Sequence, residues 1–117
     1  MNNTIDGTDG STDGISMLRE LIDLYLDNAP SRLTQIYEFA GDPPKLAFHA
    51  HALKSMSLNL GCKQVVALTQ KLELLGQSGN VADAMEIILE LESIFSQTKA
   101  QLLRLRNQET GATPPAG

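Results

Sequence analysis

The sequence has no tryptophan, a single cysteine and only two histidines among its 117 residues, and each shortage removes a class of chemistry. The lone thiol, Cys62, excludes an internal disulfide and any multi-cysteine metal site; beside Gly61 it reads as a small residue opening a helix. A di-metal helical bundle would need Glu-x-x-His pairs converging on one another, and His49 and His51 do not supply them. Nine Lys and Arg stand against fourteen acidic residues, a net charge of −5, and the nine are scattered. That argues against a nucleic acid partner and against an anionic membrane surface. No apolar run approaches the length of a membrane span and no charged-then-apolar leader stands at the start, so a soluble protein of the cytoplasm is expected. Aromatic residues make up 4% of the chain against 42% hydrophobic, which points to a core of aliphatic side chains carried on helices. Glycine-rich ATP-binding boxes are missing, as is the strand-to-helix turn that presents a catalytic serine. With one domain's worth of chain, an independent enzyme is not expected.

What the sequence does have is a well-marked helix from Leu46 to Gly61, L-A-F-H-A-H-A-L-K-S-M-S-L-N-L-G. Asp42 and Pro43 supply its N-cap and first position, Ala, Leu, Lys and Met fill it, and Gly61 stands at the C-terminal cap. A step of about 100° per residue divides it into two faces. Leu46, His49, Ala50, Leu53, Met56, Ser57 and Leu60 form a stripe for burial; Ala47, His51, Lys54, Ser55 and Leu58 gather on the other side. The two histidines therefore point roughly 200° apart. His49, at the edge of the buried stripe, reads as a partly buried imidazole bonded to a neighbour. His51 faces solvent, with Lys54 one turn further on.

Residues 1–14, polar, glycine-rich and without periodicity, are expected to be a disordered arm. A first helix is expected from about Ile15 to Asn28, where Leu18, Leu21, Ile22, Tyr25 and Leu26 give an apolar surface broader than one stripe. Pro30 is expected to start a new helix, since proline inside one costs about 3 kcal/mol. Leu33, Ile36, Tyr37 and Ala40 give that helix its inner face. Beyond the central helix, Val65, Leu68, Thr69, Leu72 and Leu75 mark another, with Val66, Gln70, Glu73 and Gln77 in a line beside the stripe. G-Q-S-G-N, Gly76 to Asn80, reads as the next break. The last helix is expected from about Val81 to Arg106, its Ala84, Ile88, Leu91, Phe95, Thr98, Leu102 and Leu105 alternating steps of four and three; residues 107–117 read as a disordered tail. Long helices joined by short turns must lie antiparallel. The expected fold is all-α, an up-and-down four-helix bundle over residues 15–106 with an additional N-terminal helix against one end.

Within the central helix, His51 to Gly61, H-A-L-K-S-M-S-L-N-L-G, resembles the signature of histidine-containing phosphotransfer (HPt) domains of bacterial two-component phosphorelays. His51, Leu53, Lys54, the small Ser55 and Ser57, and Gly61 all fall in its register; Ser55 stands where the family more often has glycine, and its small side chain still allows close approach. The resemblance implies a helical bundle in which His51 is phosphorylated. It implies that Glu73, on the next helix, orients the ring, with Gln70 and Gln77 as local substitutes. It also implies a docking surface of Ala47, the outer edge of Ala50, Ser55 and Leu58, joined by Leu18, Leu21, Ile22 or Tyr25 of the first helix. Gly61 would be structural.

The residue types suit that chemistry. A neutral imidazole, with an ordinary pKa of about 6.5, keeps one nucleophilic ring nitrogen. Phosphoryl transfer depends mainly on positioning and on stabilising charge at the equatorial oxygens, which a cation at the i+3 position, Lys54, would supply. A carboxylate at Glu73 would hold the ring N–H well, but would also favour the charged ring that is not a nucleophile. No metal or cofactor is expected in the chain; any Mg²⁺ would belong to the partner. The partners implied are receiver domains of response regulators and of hybrid sensor histidine kinases, with the chain itself a monomer. Two alternatives stay open: an adaptor bundle that binds receivers or kinases without chemistry, and a kinase-phosphorylated HPt fragment of a larger sensor or chemotaxis kinase.

Overall fold

The computed structural model describes residues 9–109, and side chains over residues 16–108. Those residues form four helices, α1 (Asp9–Glu38), α2 (Pro43–Asn59), α3 (Lys63–Ser78) and α4 (Ala84–Glu109), with no strand among them. Each turn between them is written in local signals. Asp42, in an extended conformation, accepts the Lys45 N–H at 3.3 Å and two prolines follow, which starts α2. At the other end Gly61 takes φ +69°, its N–H bonds the Leu58 carbonyl at 3.1 Å, and the Cys62 N–H bonds the Ser57 carbonyl at 3.0 Å. This paired reversal needs the left-handed region that glycine adopts without strain, and it satisfies two carbonyls at the helix end. Gly79 closes α3 in the same left-handed region, and the Asn80 side chain accepts the Ala82 N–H at 3.2 Å before α4 begins at Ala84, three residues later than the sequence suggests.

Each helix packs only on its two neighbours, in the cycle α1, α2, α3, α4 and back to α1, so the four enclose a single core. Successive antiparallel helices joined by short turns give the up-and-down bundle. Ile22, Tyr25 and Ile36 of α1, Leu46, Ala50 and Leu53 of α2, Val65 and Leu72 of α3, and Ile88, Leu91 and Phe95 of α4 fill it. A polar contact between Tyr25 and Ser57 crosses this interior. The Ser57 hydroxyl donates to the Leu53 carbonyl at 2.8 Å, which leaves Tyr25 as the donor in its own 2.8 Å bond to Ser57 Oγ. Burial pushes the Tyr25 hydroxyl well above its ordinary pKa, so it stays protonated and keeps donating.

The sequence expectation of five helices is corrected at Pro30. α1 runs straight through it, so the additional N-terminal helix and the one after Pro30 are a single helix. Ile22, Tyr25 and Ala29 before the proline and Ile36 after it lie on one face, all buried in the same core. Fully burying a large apolar side chain contributes about 1.5–3 kcal/mol, so several on one line outweigh the roughly 3 kcal/mol an interior proline costs. The Asn28 side chain donates to the Leu24 carbonyl at 2.7 Å, and the Thr34 hydroxyl to the Pro30 carbonyl at 3.1 Å.

Helix also replaces part of each expected terminal segment. Residues 9–14 of the expected arm form the first turns of α1, and residues 107–109 of the expected tail close α4. Once a helix is nucleated, each added residue gains a hydrogen bond for little further cost. Residues 1–8 and 110–117, the remainder of those segments, lie outside the described residues. Gly76, read as part of a break, is instead inside α3. Among the described residues no helix is long and apolar enough to cross a membrane.

Candidate functional site

Gly76 explains how α2 and α3 meet. A Cβ placed on it would lie 2.6 Å from the Pro43 carbonyl oxygen, 2.7 Å from the Ala47 nitrogen and 2.8 Å from the Ala47 Cβ. Only a residue without a side chain lets α3 approach the first turns of α2 so closely. One turn along from Ala47 is His51, and one turn before Gly76 is Glu73; the antiparallel seam brings them face to face.

His51 Nδ1 lies 2.9 Å from Glu73 Oε2, with the His51 side chain 59% exposed and that of Glu73 11%. Lys54 Nζ lies 2.7 Å from the other carboxylate oxygen, Oε1, and donates to Gln70 Oε1 at 2.8 Å. The Gln77 amide approaches Oε2 at 3.5 Å. The Lys54 contact to the buried Oε1 is an ion pair and not an aligned hydrogen bond. Desolvation pushes the Glu73 carboxyl up, but the contacts and charges of Lys54 and His51 outweigh it and hold the group below its ordinary 4.5. An ionised carboxylate can only accept. The ring hydrogen therefore sits on Nδ1, and the Nε2 lone pair is left on the exposed side of the ring.

The other expected residues are distributed unevenly. Ser55 and Leu58 are exposed on the same side of α2 as His51, and Ala47 is half-buried against Gly76. Leu18 is half-buried against the core. Ile22 and Ala50 are corrected: both are completely buried, because α1 turns the line of Ile22, Tyr25 and Ala29 inward and α2 turns Ala50 into the core with Leu46 and Leu53, and neither offers anything to a partner. Leu24, 61% exposed, and Met17 stand outside instead, and Leu24 lines a groove together with Leu21, Tyr25, Met56, Asn59 and Leu60. Met17, Leu21 and Leu24 at steps of four and three carried the signal for this second line, hidden within the broad apolar surface of α1.

On the opposite side of α2, His49 has different company. Arg32 Nη1 lies 3.0 Å from His49 Nδ1, the Phe39 ring stacks on the imidazole at 5.4 Å, and the Phe48 ring meets it edge-on at 5.2 Å. Desolvation, then the charges of Arg32 and Lys45, push the His49 pKa down, against a smaller pull from Glu38. Arg32 has only N–H donors, so His49 Nδ1 is the acceptor and the ring is held neutral. Among the described residues no three His, Cys, Asp or Glu side chains converge as a metal site would require.

The family model of the Hpt domain matches residues 20–108. No curated protein and no solved structure matches the chain.

Proposed function

The chain belongs to the Hpt domain family, whose members carry a phosphoryl group on a histidine in phosphorelays, and from that premise we propose that His51 takes the group from one receiver aspartate and passes it to another. The observation that carries this reading is the exposed Nε2 of His51, freed by the Nδ1 contact to Glu73 at 2.9 Å. Nε2 attacks the phosphorus of an aspartyl phosphate in line with the leaving carboxylate. The N–P bond forms, the P–O bond to the aspartate breaks, and its electron pair stays on the departing carboxylate. The Nδ1 proton remains on the ring, shared with Glu73. Lys54, one turn away, offers positive charge to the equatorial oxygens. The reverse sequence hands the group to a second receiver.

Hpt domains are carriers and not catalysts, and the family engages receiver domains and kinases. In the proposed encounter Ser55 and the exposed Leu58 meet the receiver around His51, and the groove bounded by Leu21 and Leu24 of α1 widens the contact. Such encounters bury areas at the low end of the range for protein pairs, as a short-lived exchange requires. Mg²⁺, which the receiver's acidic pocket holds, is proposed to come with the partner.

The test is incubation of the chain and of His51→Gln with a phosphorylated receiver domain. Acid-labile, alkali-stable label on the wild type that vanishes in the variant is expected. A folded wild type that takes no label from several receivers or kinases would leave the adaptor as the better reading.

A further inference from the structure

We propose that Gln70 is a positioning residue that acts through Lys54: its side-chain oxygen holds the Lys54 ammonium on Glu73, so that the carboxylate orients His51 without driving the ring to imidazolium. This rests on the reading of His51 as the phosphoryl acceptor. An ionised carboxylate 2.9 Å from an imidazole fixes its tautomer, yet it equally stabilises the protonated ring, which has no free lone pair. Orientation and nucleophilicity pull in opposite directions.

Lys54 resolves the conflict. Its ammonium sits 2.7 Å from Oε1 while the ring sits 2.9 Å from Oε2, so the ring faces a carboxylate already paired with a cation. The hydrogen-bond geometry at Oε2 is kept and the net charge seen by the ring falls. The pair is worth more than a surface bridge because the Lys54 side chain is only 17% exposed. A lysine on four rotatable bonds does not stay in one place for a single contact, since fixing it gives up much of its rotamer freedom. The second contact, 2.8 Å to Gln70 Oε1, comes from the residue three before Glu73, on the same face of α3. An amide is the right group for this. It accepts from the ammonium without adding a charge, whereas a carboxylate at 70 would draw Lys54 off Glu73.

Among the described residues the charged groups in contact with the His51 ring and Gln70 are Glu73 from α3 and Lys54 from α2 itself; Arg32 of α1 is committed to His49 on the opposite side of α2. Lys54 retains a third N–H beyond these two contacts, and that donor can meet an incoming phosphoryl oxygen.

The experiment follows the His51 ring by NMR through a pH titration of the full chain, in the wild type, Gln70→Met, Lys54→Met and the double variant. Phosphoryl acceptance from a phosphorylated receiver is measured across the same pH range. Methionine keeps the length of the side chain and favours helix, and Gln70 is exposed, so the variants fold. Lys54→Met should move the His51 titration to higher pH and Gln70→Met should move it part of the same way, with the hydrogen still on Nδ1. The acid limb of the acceptance profile should move with them. The double variant should titrate like Lys54→Met alone. A Gln70→Met midpoint equal to wild type, or a shift that persists undiminished in the Lys54→Met background, overturns the proposal. A wild type that shows these couplings but accepts no phosphoryl group overturns the carrier reading instead.

Discussion

His49 and His51 are the same side chain on the same helix, two residues apart, and the bundle holds them in opposite tautomers. An anion on α3 takes a hydrogen bond from Nδ1 of His51, which leaves Nε2 exposed with its lone pair. A cation on α1 gives a hydrogen bond to Nδ1 of His49, which puts the hydrogen on Nε2 and packs the ring against Phe39 and Phe48. The lesson is that reactivity at this helix is decided by which neighbour each face meets. The α3 side offers a charged, partly open cluster. The α1 side offers an aromatic clamp whose histidine is held neutral by desolvation first and by the positive charge of Arg32 and Lys45 second.

The sharpest way to break the comparison is to remove each ring in turn. His51→Gln should abolish phosphoryl acceptance and His49→Gln should retain it; loss of acceptance in both, with folding intact by circular dichroism, would mean the two sides are not separate. Next in size is Gly76→Ala. The added Cβ would meet backbone atoms at 2.6 and 2.7 Å, which cannot rotate away, so urea unfolding should show a loss of about 2 kcal/mol after the gain in helix propensity is allowed for. The His51 to Glu73 hydrogen bond should loosen in the same variant while the His49 ring signals stay put.

Smaller effects come from pH. The Glu73 carboxyl is held below its ordinary 4.5 in the folded chain, so its contribution to stability is full above that value and is lost as pH falls through the lower, folded pKa. Urea midpoints measured down to strongly acid pH should show this loss in the wild type and not in Glu73→Gln. His49, a base whose pKa is depressed by folding, has its full effect above about 6.5 and loses it as pH falls toward the folded value. His49→Phe should therefore flatten the stability profile between neutral and mildly acid pH, a range separate from the strongly acid one in which Glu73 acts.

How much of this was legible in the sequence follows from how local each signal is. The start of α2 at Asp42 and Pro43 and its end at Gly61 are decided within a few residues, and the helical step alone separates the two histidines. Pro30 misled because its cost is local and its compensation is not: the face joining Ile22 to Ile36 is repaid only by helices far away in sequence. Ile22 and Leu24 look interchangeable on a broadly apolar helix, and only the rotation of α1 in the bundle sends one in and the other out. Gly76 carries the signature of a break and serves as a contact surface, a distinction that exists only once α2 lies against it. The Arg32 to His49 and Lys54 to Gln70 contacts join residues on different helices at no fixed spacing, so no periodicity announces them.

The bare contact at Gly76 also selects a register. Sliding α3 by one turn in one direction along α2 would bring Leu72 or Glu73 over the backbone of Ala47, where not even a methyl group fits, and in the other direction the helix ends at Ser78. The alignment with a side chain at that crossing is thereby excluded by volume alone, whatever the polar groups prefer. The ring and the carboxylate need no mutual attraction to find each other; they are delivered to the same place by the way two backbones stack, and their chemistry can vary without the alignment being lost.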